Sequence, residues 1–293
     1  MLKLTPETKI DVMRSTNKPA ASCKDGDTVV FETLDCYDGI ILHDGTRVDR
    51  PRMHNPATGP LFIEGAEKGD VLKVEILSIR ANSWGALGTS FGEFGFKNVE
   101  GHDDKMYVLE LRDNKTEFAG HTLTLENMIG VIGVAPNEGT EVLTVTPGSH
   151  GGNMDCNRII EGSTIYFPVE TAGALLSIGD LHALMGDGEV FGYGLEVTGE
   201  VTVRVSVIKN KTIAQPVLVL GDRAMTIASA DTFECANELA LESMFELVKA
   251  SGVTPSEAGI LMTLKCDLAI CQTVNPLMTV RAEMPLDMIK LPE

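Results

Sequence analysis

Hydrophobic residues alternate with polar ones in short segments between residue 26 and about residue 230, and this period of two limits the chain to few architectures. Valine occupies every second position from 201 to 207, and residues 72–76 repeat the pattern. Successive side chains of a strand point to opposite faces, so these segments predict antiparallel strands with one face in a core and one in water. Turn signals such as Asp44-Gly45 and Pro147-Gly148 separate them, which favours a sandwich or distorted barrel over alternating βαβ units.

The hydrophobic period changes near Asp231. From Phe233 to Val248 apolar residues recur every three or four positions until Gly252, which predicts an amphipathic helix. Thr254-Pro-Ser-Glu257 combines an N-cap, a proline at the first helical position and a capping glutamate, so it predicts the start of a second helix. The apolar positions expected for this second helix are Ile260, Leu261, Leu264 and Leu268. We therefore expect a mainly β protein with α, in which helices late in the sequence cover a sheet.

The size of the chain is sufficient for a substantial core, since it has 293 residues and 43% of them are hydrophobic. No linker, low-complexity tract or block of charge divides it. Residues 1–293 are therefore predicted to form a single domain.

The charge balance excludes several classes of partner. Lys and Arg number 24 against 42 Asp and Glu, which gives a net charge of −18. Because this charge repels phosphate groups and anionic lipid surfaces, we expect no nucleic-acid partner and no membrane partner. No apolar run approaches the roughly 20 residues of a membrane-spanning helix. The first residues also lack the apolar core of a signal peptide, which predicts a cytoplasmic protein.

The segment from Gly179 to Gly194 places ligand-capable side chains among several glycines. Asp180 and His182 are two residues apart, so in an extended chain both would face one divalent ion. Asp187 and Glu189 have the same spacing, and glycines between the pairs allow the backbone to border a ligand. The pattern predicts an active or metal site. Two alternatives stay open: Asp180 orients the imidazole without binding an ion, or the segment is a turn with solvated acids.

Two other segments carry weaker signals. Gly151 and Gly152 precede Asn153 and Asp155 in a loop that could border a ligand, and a plain turn explains the same residues. There the Asn153 amide and the glycine N–H groups could donate hydrogen bonds to a developing oxyanion. Asp35 follows a predicted strand, and acids at strand ends either are solvated or contribute to a site.

Two common nucleotide-binding motifs are absent from the sequence. It contains no Walker A motif and no GxGxxG, which argues against a P-loop and a dinucleotide fold. The six cysteines have no disulfide or metal spacing and are expected to be free thiols. Cys36 and Cys156 each follow an aspartate, whose charge raises the pKa of a thiol, so a cysteine nucleophile is the weaker alternative.

Together these segments resemble the acetamidase/formamidase family, and the resemblance extends over most of the chain. The matching stretches are Asn55 to Pro60, Gly69 to Glu75, Ile132 to Pro136, Pro147 to Asp155, Gly162 to Val169 and Gly173 to Glu189. Met185 stands where some formamidase-type members have glutamine, so the acetamidase-like branch is the closer match.

The resemblance implies a cytoplasmic, metal-dependent amidohydrolase that cleaves short aliphatic amides to a carboxylate and ammonia. It also implies a homo-oligomer, such as a dimer or a tetramer. Taken with the residues above, it leads to the prediction that Asp35, Asp180 and His182 bind a divalent metal ion. Zinc suits an Asp/His set best, whereas calcium, magnesium or manganese would suit a site richer in oxygen.

The family resemblance also implies roles for the remaining site residues. Glu189 is predicted to act as general base and then as proton donor to ammonia, and Asn153 to contact the carbonyl or the oxyanion. The predicted substrate-binding residues are Gly151, Gly152, Asp155 and Asp187. The expected substrate is a small neutral amide. A non-catalytic protein on the same fold that binds a small ligand or a metal, and a hydrolase of cyclic amides (lactams), remain alternatives.

Overall fold

Two nine-stranded sheets dominate the structure, a computed structural model that describes residues 1–88 and 105–293. In spatial order the first sheet consists of β1 (Leu2–Leu4), β5 (Thr28–Thr33), β18 (Gly199–Ile208), β7 (Val71–Ala81), β15 (Thr164–Pro168), β19 (Val217–Leu220), β20 (Arg223–Ala230), β22 (Met278–Pro285) and β21 (Asp267–Gln272). Only β1 and β5 run parallel among the neighbours of this sheet, over the described residues.

The second sheet is built around β16. In spatial order its main path is β14 (Gly151–Asn153), β12 (Met128–Gly133), β16 (Leu176–His182), β17 (Glu196–Val197), β8 (Trp84–Gly88) and β9 (Met106–Glu110). A further strand, β6 (Ala57–Ile63), pairs with β16 and also with β2 (Lys9–Ile10) and β4 (Ala21–Cys23). Two small ribbons complete the strands: β3 (Val12–Arg14) with β13 (Glu141–Leu143), and β10 (Lys115–Phe118) with β11 (His121–Thr124).

The alternating segments form the core between the two sheets. Val201, Val203 and Val205 of β18 are fully buried, while Arg204 between them is exposed. The same hydrophobic cluster includes side chains from β5 and β7 in the first sheet and from β12 and β16 in the second. The expectation of a mainly β fold with late helices is therefore confirmed, and the sheets do not close into a barrel over the described ranges.

The outer face of the first sheet is covered by α1 (Phe233–Lys249). The side chain of Thr232 caps its first turn by accepting a hydrogen bond from the Cys235 N–H. Small residues of the helix, Ala236 and Ala240, are fully buried in a cluster with side chains of β20 and β22. None of the helices in the described ranges has the length and apolar character needed to cross a membrane.

The second helix, α2 (Pro255–Lys265), starts as the sequence predicts and buries less than expected. Thr254 and Glu257 form a reciprocal capping box, with Pro255 in the first turn. The predicted apolar face is only partly correct, because Leu261 packs against the hydrophobic cluster under α1 whereas Ile260 and Leu264 are 60% and 68% exposed. Leu268 is not helical, since the chain leaves α2 after Lys265 and enters the edge strand β21.

Candidate active site

Buried acids from separate parts of the chain meet around β16. Two groups of potential metal ligands lie there, and within each group the ligand atoms are all within 4.8 Å of one another. The first group is Asp155, His182 and Glu189, and the second is Cys36, Asp180 and Glu196. All six side chains are buried.

Strand pairing brings two of these residues together directly. In the β16–β17 pair, His182 lies opposite Glu196, and its Nε2 atom is 3.1 Å from Glu196 Oε1. The same Nε2 atom lies 3.7 Å from Asp180 Oδ1 and 3.9 Å from Asp155 Oδ1. Among the described residues, His182 is the sole basic partner in the ion pairs of these acids.

Several site residues occupy the left-handed region of backbone space. Asp155, Asp180 and Glu189 have φ values of 42°, 57° and 46°, and Asn55 has 46°. A non-glycine residue in this region costs about 1 to 3 kcal/mol and persists only where its surroundings impose it. Asp180 therefore faces the site from a left-handed backbone conformation rather than from the extended one that we assumed for its spacing to His182.

Two glycines make room for the converging side chains. A Cβ at Gly130 would lie 2.6 Å from Asp155 Oδ1 and 2.7 Å from Asp180 Oδ2. A Cβ at Gly194 would lie 2.4 Å from Nδ1 of His182. Since real Cβ contacts are not this short, each position requires glycine for the site to keep its geometry.

Two asparagines donate hydrogen bonds that each hold one carboxylate oxygen, one on Asp180 and one on Asp155. The side-chain amide of Asn55 donates to Asp180 Oδ2 at 2.8 Å. The amide of Asn275 donates to Asp155 Oδ2 at 2.6 Å and to the backbone oxygen of Asn153 at 2.8 Å. The other oxygen of each aspartate is left to face the cluster.

The unpartnered atoms of the cluster fit a cation. Within the described ranges, Asp155 Oδ1, Asp180 Oδ1 and Glu189 Oε2 are buried and accept no hydrogen bond. Buried polar atoms are normally paired, and an unpaired charged oxygen is costly. Carboxylate oxygens and an imidazole are ligands for divalent ions, so this donor set suits such an ion.

The pKa values of the acids reflect the crowding of negative charge. Burial, with the charge of Asp180 adding to it, raises the pKa of Asp155 to about 6. Burial raises the pKa of Glu196 to about 8 and that of Glu189 well above its usual value. Burial alone would lower the pKa of His182, but Glu196 and Asp180 raise it well above its usual value.

A cavity of about 390 Å³ opens onto the cluster. Cys36, Asn153, Glu189 and Glu196 contribute polar groups to its wall, and side chains such as Val274 contribute apolar ones. This volume lies at the small end of the range for sites that bind small molecules. The arrangement can hold a small molecule against the carboxyl groups of Glu189 and Glu196.

Comparison with known proteins decides the family. The family model described as "Acetamidase/Formamidase family" matches residues 16–141 and 135–290, which together are most of the chain. This chain belongs to the acetamidase/formamidase family.

Solved structures and curated relatives agree with this membership. The predicted acetamidase/formamidase of Thermoanaerobacter tengcongensis is 42% identical, with a TM-score of 0.91 over 97% of this chain and 95% of that one. The acetamidase of Bacillus halodurans is 38% identical, with a TM-score of 0.89 over 98% of each chain. The formamidase of Methylophilus methylotrophus is 27% identical over 65% of this chain and 61% of its own length. The alignments to the curated relatives thus span 61% to 63% of their lengths.

The structure brings together many of the site residues predicted from the sequence. Asp155, Asp180, His182 and Glu189 lie in the cluster, and Asn153 lies in the wall of the cavity. Asp35 is buried beside them, but its Oδ1 accepts a hydrogen bond from the Gly39 N–H at 2.8 Å. The pKa of Asp35 is raised to about 6, mainly by burial, and the negative charge of Asp180 adds to this effect.

None of the four predicted substrate-binding residues lines the cavity: Asp155 lies in the ligand cluster, and the other three lie in neither the cluster nor the cavity wall. Asp187 forms a bidentate ion pair with Arg281, at 2.7 and 2.8 Å, and its side chain is 39% exposed. Gly151 and Gly152 lie outside the described cavity wall. The Gly151 N–H is not free for an oxyanion because it donates to the Gly148 carbonyl. Both glycines instead allow close backbone packing, since a Cβ there would lie within 2.4 Å of a carbonyl oxygen.

Four residues of the site were not assigned to it from the sequence. Glu196 comes two residues after Gly194, so a window extended slightly beyond residue 194 would have included it. Asn55 begins the first stretch of the family resemblance, and Cys36 was considered only as a nucleophile. Asn275 lies between two strands without acidic or glycine neighbours, and nothing in its local sequence indicates a site.

Proposed function

We propose that this chain hydrolyses the C–N bond of a small neutral amide, with a divalent cation bound in the cluster, to give a carboxylate and ammonia. The observation that supports this most is the set of unpartnered carboxylate oxygens beside a cavity of about 390 Å³. Membership of the acetamidase/formamidase family supports the same reaction.

Asp155, Asp180 and His182 would hold the cation, in place of the set with Asp35 that the sequence suggested. Their ligand atoms point toward one another, whereas the Asp35 Oδ1 atom already accepts a backbone hydrogen bond. When bound, such an ion polarises the amide carbonyl and lowers the pKa of a water, which supplies several kcal/mol of the barrier reduction.

Glu189 is the proposed base and proton carrier. It contributes to the cavity wall, and burial raises the pKa of its carboxyl well above the usual value. A carboxylate with a raised pKa can take a proton from the attacking water and then deliver it to the departing nitrogen. Asn153, in the same wall, would donate its side-chain amide to the substrate carbonyl oxygen.

A cyclic amide is the second candidate substrate. The cavity is larger than acetamide requires, so a small lactam also fits its volume. A structure with 20% identity, the gamma lactamase from Delftia acidovorans, has a TM-score of 0.60 with this chain and shows the shared fold alone. Ammonia release distinguishes the linear amides, because opening a lactam releases none.

The test measures turnover of acetamide, formamide and a lactam panel by the purified chain before and after chelation, together with its metal content. We expect at least a ~100-fold loss on chelation, recovered by adding back zinc, and a similar loss in His182→Ala. His121→Ala changes an exposed histidine in β11 and should behave as wild type. Full turnover by the metal-free chain would refute the metal-assisted mechanism, and no turnover across the panel would favour a non-catalytic binding protein.

A further inference from the structure

Cys36, Asp180 and Glu196 form a second ligand group beside the one already assigned to a cation. The Cys36 Sγ atom and one oxygen from each carboxylate lie within 4.8 Å of one another. The residues are 5%, 1% and 2% exposed. Asp180 Oδ1 accepts no hydrogen bond among the described residues. Asp180 is also a proposed ligand of the first cation, so a second ion here would share this buried, unpartnered carboxylate oxygen with the first.

The chain positions Cys36 at the group through its backbone. The residue follows β5, and its N–H donates to Glu196 Oε2 at 3.4 Å. On one side Cys36 packs against apolar residues such as Tyr37 and Ile40, as a buried cysteine commonly does. On the other side its sulfur faces two carboxylates. His182 is the basic partner of both carboxylates but carries at most one positive charge, and a thiol adds only one weak donor. Packing and His182 together therefore leave negative charge at this side without a partner.

We propose that the site takes two divalent cations and that Cys36, Asp180 and Glu196 hold the second one, with Cys36 bound as its thiolate. This proposal rests on the proposed function for the first ion and adds the ligands and the chemistry of another. On binding, the thiol proton leaves to solvent as the sulfur–metal bond forms. Thiolate ligands favour zinc and similar transition metals, whereas calcium and magnesium take oxygen ligands. The second position therefore selects a thiophilic ion.

The test uses the full chain stripped of metal and titrated with Co²⁺. We expect two ions bound per chain by elemental analysis, with an ultraviolet absorption band from sulfur-to-cobalt charge transfer. Cys36→Ser should abolish the band and leave one ion at the original affinity. The matched control is Cys235→Ser, which changes an exposed cysteine and should retain both the band and the second ion. One ion per chain, or a band that survives in Cys36→Ser, would overturn the proposal.

A second measurement covers the case in which Cys36→Ser does not fold. Crystals of the wild-type chain grown with zinc should show two anomalous peaks in the site, one at a zinc–sulfur distance of about 2.3 Å from Cys36. A single peak, or a second peak away from the sulfur, would overturn the assignment.

The outcome separates this proposal from the proposed function. Amide turnover by a chain that binds only one ion would refute the second cation and leave the amidase intact. Two ions with a thiolate band but no amide turnover would refute the amidase and leave the metal assignment standing.

Discussion

Single residues decide whether the acids can converge. Asp155, Asp180 and Glu189 accept left-handed backbone angles, and Gly130 and Gly194 leave the space their neighbours need. The left-handed angles cost conformational energy only at these residues, and they allow the carboxylates to meet in one site. A methyl group added at either of these two glycines should therefore disturb the site more than the fold.

Gly194→Ala tests this at the imidazole. Because the new Cβ would lie 2.4 Å from His182 Nδ1, the ring must shift. A displacement of this kind can reduce turnover by ~100-fold, so we expect a large fall in kcat/KM with folding retained. Gly186→Ala is the control, since a Cβ there meets no atom within 4 Å, and it should keep most of the activity. Equal activity of the two variants, measured by ammonia release, would contradict the argument.

At the scale of elements, the connection between β21 and β22 carries Asn275 to the site. Gln272, fully buried at the end of β21, accepts hydrogen bonds from the N–H groups of Val274 and Asn275, both at 2.8 Å. Its own amide donates to the Leu277 carbonyl at 2.7 Å and to Thr279 Oγ1 at 2.8 Å. Gln272 is therefore a positioning residue, which acts on Asp155 through Asn275.

A double-mutant cycle tests this coupling. Gln272→Met keeps the side-chain volume but removes the hydrogen bonds that Gln272 accepts and those that it donates. Each buried group left without a partner should lower the free energy of unfolding by about 1 to 3 kcal/mol. If Gln272 acts through Asn275, then Gln272→Met and Asn275→Ala should lower kcat and metal affinity similarly, and the double variant should be no worse. Additive losses in the two readouts would mean that the residues act independently.

The whole molecule buries many ionisable groups, and one of them gives a clear prediction for stability. Burial lowers the pKa of His150 from 6.5 to about 4, and its Nε2 has no hydrogen-bond partner within the described residues. Between these two pH values the unfolded chain binds a proton that the folded chain excludes. Neutral His150 therefore contributes stability that is complete above about pH 6.5 and is lost as the pH falls towards 4.

The measurement compares wild type with His150→Gln, in which the side chain does not titrate. The free energy of unfolding of the wild type should fall relative to the variant by about 1.4 kcal/mol per pH unit at most across this window. Denaturant unfolding at a series of pH values gives the difference in the free energy of unfolding between the two proteins. The contributions of the buried acids cancel in this difference, because both proteins contain them. Parallel curves for the two proteins would contradict the prediction.

The assembly of the whole molecule stays a prediction. A dimer or tetramer is expected from the family resemblance, and Ile260, Leu264 and Leu268 are large apolar side chains exposed on the single chain. Sedimentation of the purified protein measures the state directly.

The amino-acid sequence by itself determined the elements. The period of two from 201 to 207 became β18, and the capping residues Thr254 and Glu257 started α2, because these signals depend on neighbours a few positions away. The glycine-rich window likewise identified Asp180, His182 and Glu189. It could not separate Glu189 from Asp187, because both fit the same spacing.

Only the tertiary structure decided which polar side chains share one space. Asp187 turns to Arg281, while Cys36, Glu196 and Asn275 reach the cluster from strands and loops far apart in the chain. Their meeting depends on how β16 pairs with its neighbours and on the left-handed backbone conformation of Asp180, which the surrounding tertiary packing imposes. No local pattern encodes them, because the partners of a buried charge are set by the fold that encloses it.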